Sequence, residues 1–89
     1  MFYVYLLRSK IDGKLYTGFT TDLRKRFAEH NNKMNKSTKS RAPFEVLYYE
    51  AYISQADAKL REKNLKSSLG ARTALKRRLT SSLRSGHLV

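Results

Sequence analysis

Apolar stretches alternate with polar, helix-like segments along the 89-residue chain. Phe2 to Leu7 is an aromatic, β-branched and aliphatic run, apolar on both faces, which is typical of a central strand covered on both sides. The Asp-Gly pair within residues 11–14 favours a hairpin reversal into an antiparallel strand that begins over Leu15 to Thr17. Phe44 to Tyr52 predicts a third strand.

The first helical pattern follows the second strand directly. Thr20-Thr21-Asp22 predicts its start, because a Thr or Asp side chain can cap free backbone N–H groups. We expect this helix to run to about His30 and to stop at Asn31-Asn32. The segment from Lys33 to Arg41 is basic and rich in Ser, Thr and Asn, which indicates a loop.

Two further helical patterns complete the chain. Ser54 is expected to cap a second helix that runs to about Leu69, with Gly70 as its C-terminal cap. Residues 71–83 predict a third helix, and the tail over residues 84–89 is expected to fray. The order β-β-α-β-α-α predicts a single α+β domain over residues 1–89, with a core over about 2–69 and helices against a small three-stranded antiparallel sheet.

The charge balance points to a polyanionic partner. Nineteen Lys and Arg oppose seven Asp and Glu, a formal net charge of +12. Because cations that neutralise phosphates release counterions, nucleic acid is the natural partner of such a chain. A basic surface that only maintains solubility is the alternative. A membrane surface is less favoured, since the basic residues are spread over several segments.

Several classes of protein are disfavoured by what the sequence lacks. The absence of cysteine excludes a disulfide framework and a thiolate zinc site. No apolar stretch approaches the ~20 residues that span a bilayer. The N-terminal run lacks a basic region and ends at Leu7, so a signal peptide is not expected. We therefore expect a cytoplasmic protein.

A helical projection brings charged side chains onto the face of the first helix that should be apolar. Arg26 and His30 fall within about 60° of Leu23 and Phe27. A guanidinium is costly to bury unpaired, so Arg26 needs a carboxylate or a cleft that admits an anion. The simpler alternatives are a buried stem with an exposed head for Arg26, and bonding to last-turn carbonyls for His30.

The second helix repeats this feature with Glu62, which lies among its apolar positions. An i,i+4 pair with Lys66 is the simplest explanation. Taken together, Arg26 and Glu62 fit either a buried structural pair or a phosphodiester site. In such a site the arginine would bind the phosphate and the glutamate would bind a divalent metal. A tyrosine or histidine would carry out proton transfer.

Two tyrosine motifs, Tyr3-Val4-Tyr5 and Tyr16-Thr17-Gly18, precede the first helix, and together with Arg26, His30 and Glu62 they make the chain resemble the GIY-YIG nuclease superfamily. Tyr3-Val4-Tyr5 matches its first motif, with Tyr5 at the tyrosine position and Tyr3 where glycine is usual. Tyr16-Thr17-Gly18 matches the second. The family arginine follows ten residues after Tyr16, at Arg26, and a histidine comes four residues later, at His30. The metal-binding glutamate of a later helix corresponds to Glu62, so the resemblance covers roughly Phe2 to Leu69.

The resemblance implies a divalent-metal-dependent endonuclease with a small three-stranded sheet flanked by helices. It is closest to the small stand-alone bacterial members that are left as uncharacterised proteins. By analogy, Glu62 would hold one Mg²⁺ or Mn²⁺, and Arg26 would stabilise the charge that develops on phosphorus. Tyr5 or Tyr16 would orient or deprotonate the attacking water, with His30 as an assistant.

The sequence also departs from the family. Phe19 stands where some relatives have a lysine, and the chain is too short for a separate DNA-binding domain. Target recognition is therefore expected to be weak, structure-based or supplied by a protein partner, with DNA favoured over RNA. Basic residues of the loop and of the last helix are candidate phosphate contacts that position a backbone without base readout: Lys33, Lys36, Lys39, Arg41, Arg72, Lys76, Arg77 and Arg78.

Three functions remain open from the sequence. The first is a small endonuclease that selects DNA by its structure. The second is a non-catalytic nucleic-acid-binding module with the same fold. The third is a basic accessory protein that binds another protein and has little affinity for nucleic acid at physiological salt.

Overall fold

The central element is the strand β1 (Phe2–Ser9), and a computed structural model describes the chain over residues 1–32 and 39–85. β1 pairs antiparallel with β2 (Leu15–Thr20) on one side and with β3 (Phe44–Tyr52) on the other, giving the order β2-β1-β3. Gly13 adopts a φ of +72° in the turn between β1 and β2, a conformation that favours glycine. The predicted α+β class and the central place of the first strand are confirmed.

Among the described residues, four helices accompany the sheet: α1 (Leu23–Asn31), α2 (Gln55–Ser67), α3 (Leu69–Arg78) and α4 (Thr80–Ser85). A short 3₁₀ turn over Lys39–Arg41 precedes β3. No helix within residues 1–32 and 39–85 is long and apolar enough to cross a bilayer. Lys33 and Lys36, two of the candidate phosphate contacts, lie outside the described residues.

Alternate residues of β1 contribute to two separate apolar clusters, as expected for a strand covered on both faces. Val4 and Leu6 belong to the first cluster, whose other buried members are Ala58, Leu65, Leu75 and Leu79. Tyr5 and Leu7 belong to the second, which contains Ala42 and Phe44, with Tyr16, Leu23 and Phe27 packed against it.

Two helix starts were predicted from capping residues, and the structure bears out both caps. Asp22 accepts a hydrogen bond from the backbone N–H of Lys25 at 3.1 Å, and Ser54 accepts one from Asp57 at 3.3 Å. Thr20, which was grouped with the first helix start, instead ends β2. Its hydroxyl accepts a bond from the Asp22 backbone at 3.1 Å and so fixes the turn into α1.

The boundary between the last helices differs from the prediction. α2 ends at Ser67, two residues before the predicted end, and Ser68 is extended, with its hydroxyl accepting the Ala71 N–H at 3.2 Å. Gly70 therefore lies inside α3 and is not a C-terminal cap. The reason is that a serine able to cap the next helix outweighs a glycine two residues later.

The predicted helix over residues 71–83 is also wrong in detail, because it is two helices that meet at Leu79. Both Leu75 and Leu79 are buried in the same cluster as Val4. The apolar packing therefore continues beyond residue 69, where the sequence suggested that the core ends.

A partly buried carboxylate connects β3 to α2. Glu50 accepts hydrogen bonds from two guanidinium nitrogens of Arg61 at 2.9 Å, from the Tyr48 hydroxyl at 2.6 Å and from the Tyr52 hydroxyl. Burial favours the neutral acid, but these donors prevail and hold the pKa of Glu50 below its ordinary value. Burial and the neighbouring carboxylate raise the pKa of Tyr52 to about 12. Because Glu62 follows Arg61 directly, this connection also fixes which way Glu62 faces.

Candidate active site

A cleft of about 410 Å³ is lined by residues of β1, β2, α1 and α2. All five side chains that the sequence singled out for catalysis line it, although they come from four different elements. They are Tyr5, Tyr16, Arg26, His30 and Glu62. Thr17, Gly18, Phe19, Lys59 and Lys66 complete its lining.

The buried Tyr5 enters the cleft across the backbone of β2. Tyr5 and Gly18 are direct partners in the β1–β2 register. A Cβ added to Gly18 would lie 2.9 Å from Cε1 of Tyr5 and closer still to its Cζ and Oη atoms. Glycine is required at position 18 because the Tyr5 ring occupies the space of a side chain.

The Tyr5 phenol is hydrogen-bonded to the buried imidazole of His30. The distance between Tyr5 Oη and His30 Nε2 is 3.1 Å, and the two rings meet edge to face with centroids 5.9 Å apart. The His30 ring also packs on Phe44 at 5.8 Å. These contacts explain why His30 faces the sheet from α1, as the helical projection predicted.

The charge states of this pair allow the Tyr5 hydroxyl to donate its hydrogen bond to the imidazole of His30. Burial, and then the positive charge of Arg26, lower the pKa of His30. Burial also raises the pKa of the Tyr5 phenol, although Arg26 opposes this shift. At neutral pH, Tyr5 therefore keeps its proton and His30 is uncharged. In the tautomer with hydrogen on Nδ1, the Nε2 atom accepts a hydrogen bond from the Tyr5 hydroxyl.

Arg26 and Glu62 line the same cleft but do not pair with each other. Arg26 Nε lies 3.2 Å from Glu29, and Glu62 lies 3.0 Å from Lys66 Nζ. The interpretation of Arg26 and Glu62 as a buried structural pair is therefore wrong, and the i,i+4 pair of Glu62 with Lys66 is confirmed. With 39% of its side chain exposed, the Arg26 guanidinium remains accessible to an incoming anion.

Tyr16 is held by contacts outside the cleft. Its ring packs edge to face on Phe44, with centroids 5.4 Å apart. Its hydroxyl accepts a hydrogen bond from Arg41, whose guanidinium also lies 3.5 Å from Asp12. The sequence predicted that Arg41 contacts phosphate. In the structure Arg41 lies beside the cleft residue Tyr16, and its guanidinium has two protein partners, Tyr16 and Asp12.

Sequence reasoning named Lys66 only as the partner of Glu62 and missed Lys59, and both cations line the cleft. The Lys59 ammonium lies 4.1 Å from the centroid of the Phe19 ring, a cation–π contact. Phe19 is the residue that stands where some relatives have a lysine. A signal was present in the sequence, because Lys59, Glu62 and Lys66 follow an i, i+3, i+7 spacing that places them on one helix face.

Comparison with known proteins agrees with this geometry. The model of the GIY-YIG catalytic domain matches residues 1–79. The chain belongs to the GIY-YIG family. A UPF0213 protein of Staphylococcus saprophyticus is 39% identical over 66 residues, covering 73% of this chain and 79% of the relative. A UPF0213 protein of Streptococcus pyogenes is 49% identical over 57 residues, covering 63% and 61% of the two chains.

A solved structure supports the same placement. The solution structure of the UPF0213 protein from Bacillus halodurans matches with a TM-score of 0.55 and 34% identity, covering 89% of this chain and 87% of that one. The predicted resemblance to small bacterial GIY-YIG members is thereby confirmed. Membership implies a nuclease family and a nucleic-acid substrate.

GIY-YIG nucleases typically use divalent metals, and the cleft fits one ion held by Glu62. Glu62 is half-buried and is the one carboxylate among the described residues that lines the cleft. No group of three His, Asp or Glu side chains capable of holding a metal occurs in residues 1–32 and 39–85. Mg²⁺ suits such a site, since it is often bound by one or two carboxylates with water and substrate phosphates. Glu62 would release Lys66 to bind it.

The remaining predicted phosphate contacts do not line the cleft that contains Tyr5 and Glu62. Arg72 donates to the carbonyls of Leu65 and Lys66 at 3.1 and 2.6 Å, so it covers the end of α2. With Lys76 it lines a larger cavity, about 530 Å³, that contains Leu6 and Leu75. That cavity contains none of the five predicted catalytic residues. Lys39, Arg77 and Arg78 are exposed at the surface.

Proposed function

We propose that this protein is a divalent-metal-dependent endonuclease that hydrolyses phosphodiester bonds in DNA and selects its target by structure. The observation that carries the proposal is the convergence of Tyr5, His30, Arg26 and Glu62 on one open cleft. A proton acceptor, an accessible guanidinium and a half-buried carboxylate are the groups that phosphodiester hydrolysis requires.

The contacts suggest different tasks for the two tyrosines. Tyr5 is bonded to His30, so it can pass its proton to Nε2 while it takes one from the attacking water. The water oxygen then bonds to phosphorus as the bond to the leaving oxygen breaks, and the leaving oxygen takes its proton from solvent water at the open cleft. Tyr16 is held by Arg41 at the lining of the cleft and would position the phosphate.

The cations of the cleft would hold the phosphate during this reaction. Arg26 would stabilise the charge that develops on the phosphoryl oxygens. Lys59 makes no ion pair with any carboxylate in the described parts of the chain, so its charge is available to the substrate. One Mg²⁺ or Mn²⁺ on Glu62 would supply further charge neutralisation at the scissile phosphate.

A nuclease assay tests the proposal directly. Wild type is incubated with flapped, branched and blunt duplex DNA in the presence of Mg²⁺, Mn²⁺ or a chelator. We expect cleavage of flapped or branched DNA that stops with the chelator and falls at least about 100-fold in Glu62→Gln and Arg26→Ala. Lys63→Ala is the matched control, since Lys63 is exposed on α2 and does not line the cleft.

The same experiment separates the competing functions. Cleavage that persists in Glu62→Gln contradicts the metal assignment. Salt-dependent binding without cleavage of any substrate supports a non-catalytic module instead. Little nucleic-acid affinity at physiological salt supports the accessory protein.

A further inference from the structure

A second recess, of about 460 Å³, lies at the Tyr3 end of β1 and takes no part in the proposed chemistry. Tyr3 and Tyr49 pack edge to face in it, with ring centroids 6.0 Å apart and planes at 63°. Tyr49 is 54% exposed, so the face of its ring is open to a ligand. Thr21, Asp22, Leu23 and Arg24 form the rest of its wall.

The register of the sheet places this recess beside the cleft. Tyr49 is the direct partner of Tyr5 across the β1–β3 ladder, so both side chains stand on the same face of the sheet. Tyr3 shares this face two positions away, about 7 Å along β1. α1 contributes Leu23 and Arg24 to the recess and Arg26 and His30 to the cleft. A nucleic-acid strand held in the cleft can therefore reach the recess within a few nucleotides.

The chemistry of the recess fits a base rather than a phosphate alone. Aromatic rings exposed beside a cation are the surface on which unpaired bases stack while the cation contacts the backbone. Arg24 is exposed and makes no ion pair with an acid of the described residues, so its guanidinium is available at the rim. The negative charge of Asp22 disfavours a phosphate within the recess itself. One oxygen of this carboxylate accepts a hydrogen bond from the backbone N–H of Lys25.

Bases within a paired duplex cannot use this surface. Bases inside a duplex present their edges in the grooves, and their faces are stacked on neighbours. Only an unpaired or extruded base can lay its face on Tyr49. The recess thus distinguishes nucleic acids by the presence of unpaired nucleotides, without reading their sequence.

We propose that the recess formed by Tyr3, Tyr49, Leu23 and Arg24 binds an unpaired base next to the phosphate held in the cleft. Resting on the proposed nuclease function, this assigns the substrate class as nucleic acid with single-stranded nucleotides beside the cut. The Tyr49 ring takes the face of the base, Tyr3 supports that ring from its edge, and Arg24 takes a neighbouring phosphate.

Binding measurements with matched ligands test the recess. The affinities of a labelled single strand and a blunt duplex of equal charge are measured by fluorescence anisotropy at one fixed salt concentration. In Tyr49→Ala we expect the single strand to lose about tenfold in affinity while the duplex is unchanged. Tyr49→Phe keeps the ring and should bind like wild type. Arg24→Gln should weaken both ligands modestly and lower the salt dependence of both.

Equal losses for both ligands in Tyr49→Ala, or no loss for either, would overturn the proposal. Circular dichroism and thermal unfolding show whether Tyr49→Ala is folded. If it is not, Tyr49→Leu provides the same test, because it retains apolar bulk but offers no aromatic face. A Tyr49→Leu variant that keeps the full single-strand preference counts against the recess.

Cleavage assays distinguish this proposal from the nuclease function. If wild type cleaves flapped DNA and Tyr49→Ala keeps the same ratio of flap to duplex cleavage, the recess proposal fails and the nuclease function stands. If no substrate is cleaved but the single-strand preference depends on the Tyr49 ring, the nuclease function fails and the recess stands as a binding site.

Discussion

The Tyr5 ring lies over Gly18, so closely that no side chain fits at position 18. The two residues are cross-strand partners, and each belongs to one of the two tyrosine motifs of the chain. Gly18 of the second motif thus leaves open the space that the Tyr5 ring of the first motif occupies.

Gly18→Ala should displace the Tyr5 ring and break its hydrogen bond to His30. We expect a loss of nuclease activity of about 100-fold or more, and a loss of about 1–3 kcal/mol in unfolding free energy from the steric overlap. Denaturant unfolding and cleavage rates measure the two effects.

Gly70→Ala is the matched control for that change. An alanine Cβ there would meet only Ser68 Oγ, at 3.8 Å, and Gly70 lies in α3. It should keep full activity and gain up to about 1 kcal/mol in stability. A Gly18→Ala variant that cleaves as fast as Gly70→Ala would contradict the role of the contact.

The rate of cleavage should fall as the pH is lowered past 6.5, because protonated His30 cannot accept the Tyr5 proton. Its pKa lies below the ordinary 6.5, so the decline should be centred on the acid side of that value. Tyr5→Phe should lower the rate about 100-fold while leaving the ring over Gly18. Profiles of kcat/KM from pH 5 to 8 measure both effects. A His30→Gln variant with the wild-type acid limb would exclude His30 as its source.

Stability should fall on acidification through the titration of Glu50. The folded pKa of this carboxyl is held below its ordinary 4.5, so its contribution is complete above pH 4.5 and is lost as the pH falls through the folded pKa. Glu50→Gln should flatten the acid side of the stability profile, and thermal unfolding between pH 3 and 7 measures it. Persistence of the full acid decline in Glu50→Gln would point to another group.

Arg61→Met should cost about 2–3 kcal/mol of unfolding free energy, because it leaves the Glu50 charge without its main partner. It should also lower activity beyond the loss of folded protein, since α2 loses the contact that orients Glu62. Arg77→Met, on an exposed position of α3, is the control. Rates are compared at a temperature where both variants are fully folded. Unchanged activity in folded Arg61→Met would refute the orienting role.

Lys59→Ala should weaken nucleic-acid binding and reduce the slope of log affinity against log salt by about one. Phe19→Leu should give part of this effect, because it removes the ring that holds the ammonium. Lys63→Ala should change the slope less, as its side chain lies outside the cleft. Titrations at several salt concentrations compare the three variants. Equal slopes in Lys59→Ala and Lys63→Ala would remove Lys59 from the site.

Local signals predicted the elements of this fold well. β3 has the predicted bounds, and Asp22 and Ser54 cap the helices that they were expected to cap. The helical projection also predicted that Arg26, His30 and Glu62 face the sheet, and all three line one cleft. The 3.6-residue period of a helix is enough to predict which face a side chain lies on.

Contacts between distant residues were beyond the sequence. The bond from Arg41 to Tyr16 and the one from Arg61 to Glu50 depend on how whole elements pack. The helix break at Ser68 was also not predicted. Leu65 and Leu69 keep a helical spacing of four residues across it, while the Ser68 hydroxyl caps the next helix. The contact between Lys59 and Phe19 was not predicted, because Lys59 lies on α2 and Phe19 lies on β2.

The bonds of Arg72 to the end of α2 have a consequence for the length of chain that can fold. This guanidinium satisfies carbonyls of Leu65 and Lys66 that α2 leaves open, and Leu75 and Leu79 fill the apolar layer beneath them. A chain cut at residue 69 would lose these residues together and uncover Leu65. We therefore expect the minimal folding unit to extend at least to Leu79, with the C-terminal helices as part of the scaffold that supports Glu62.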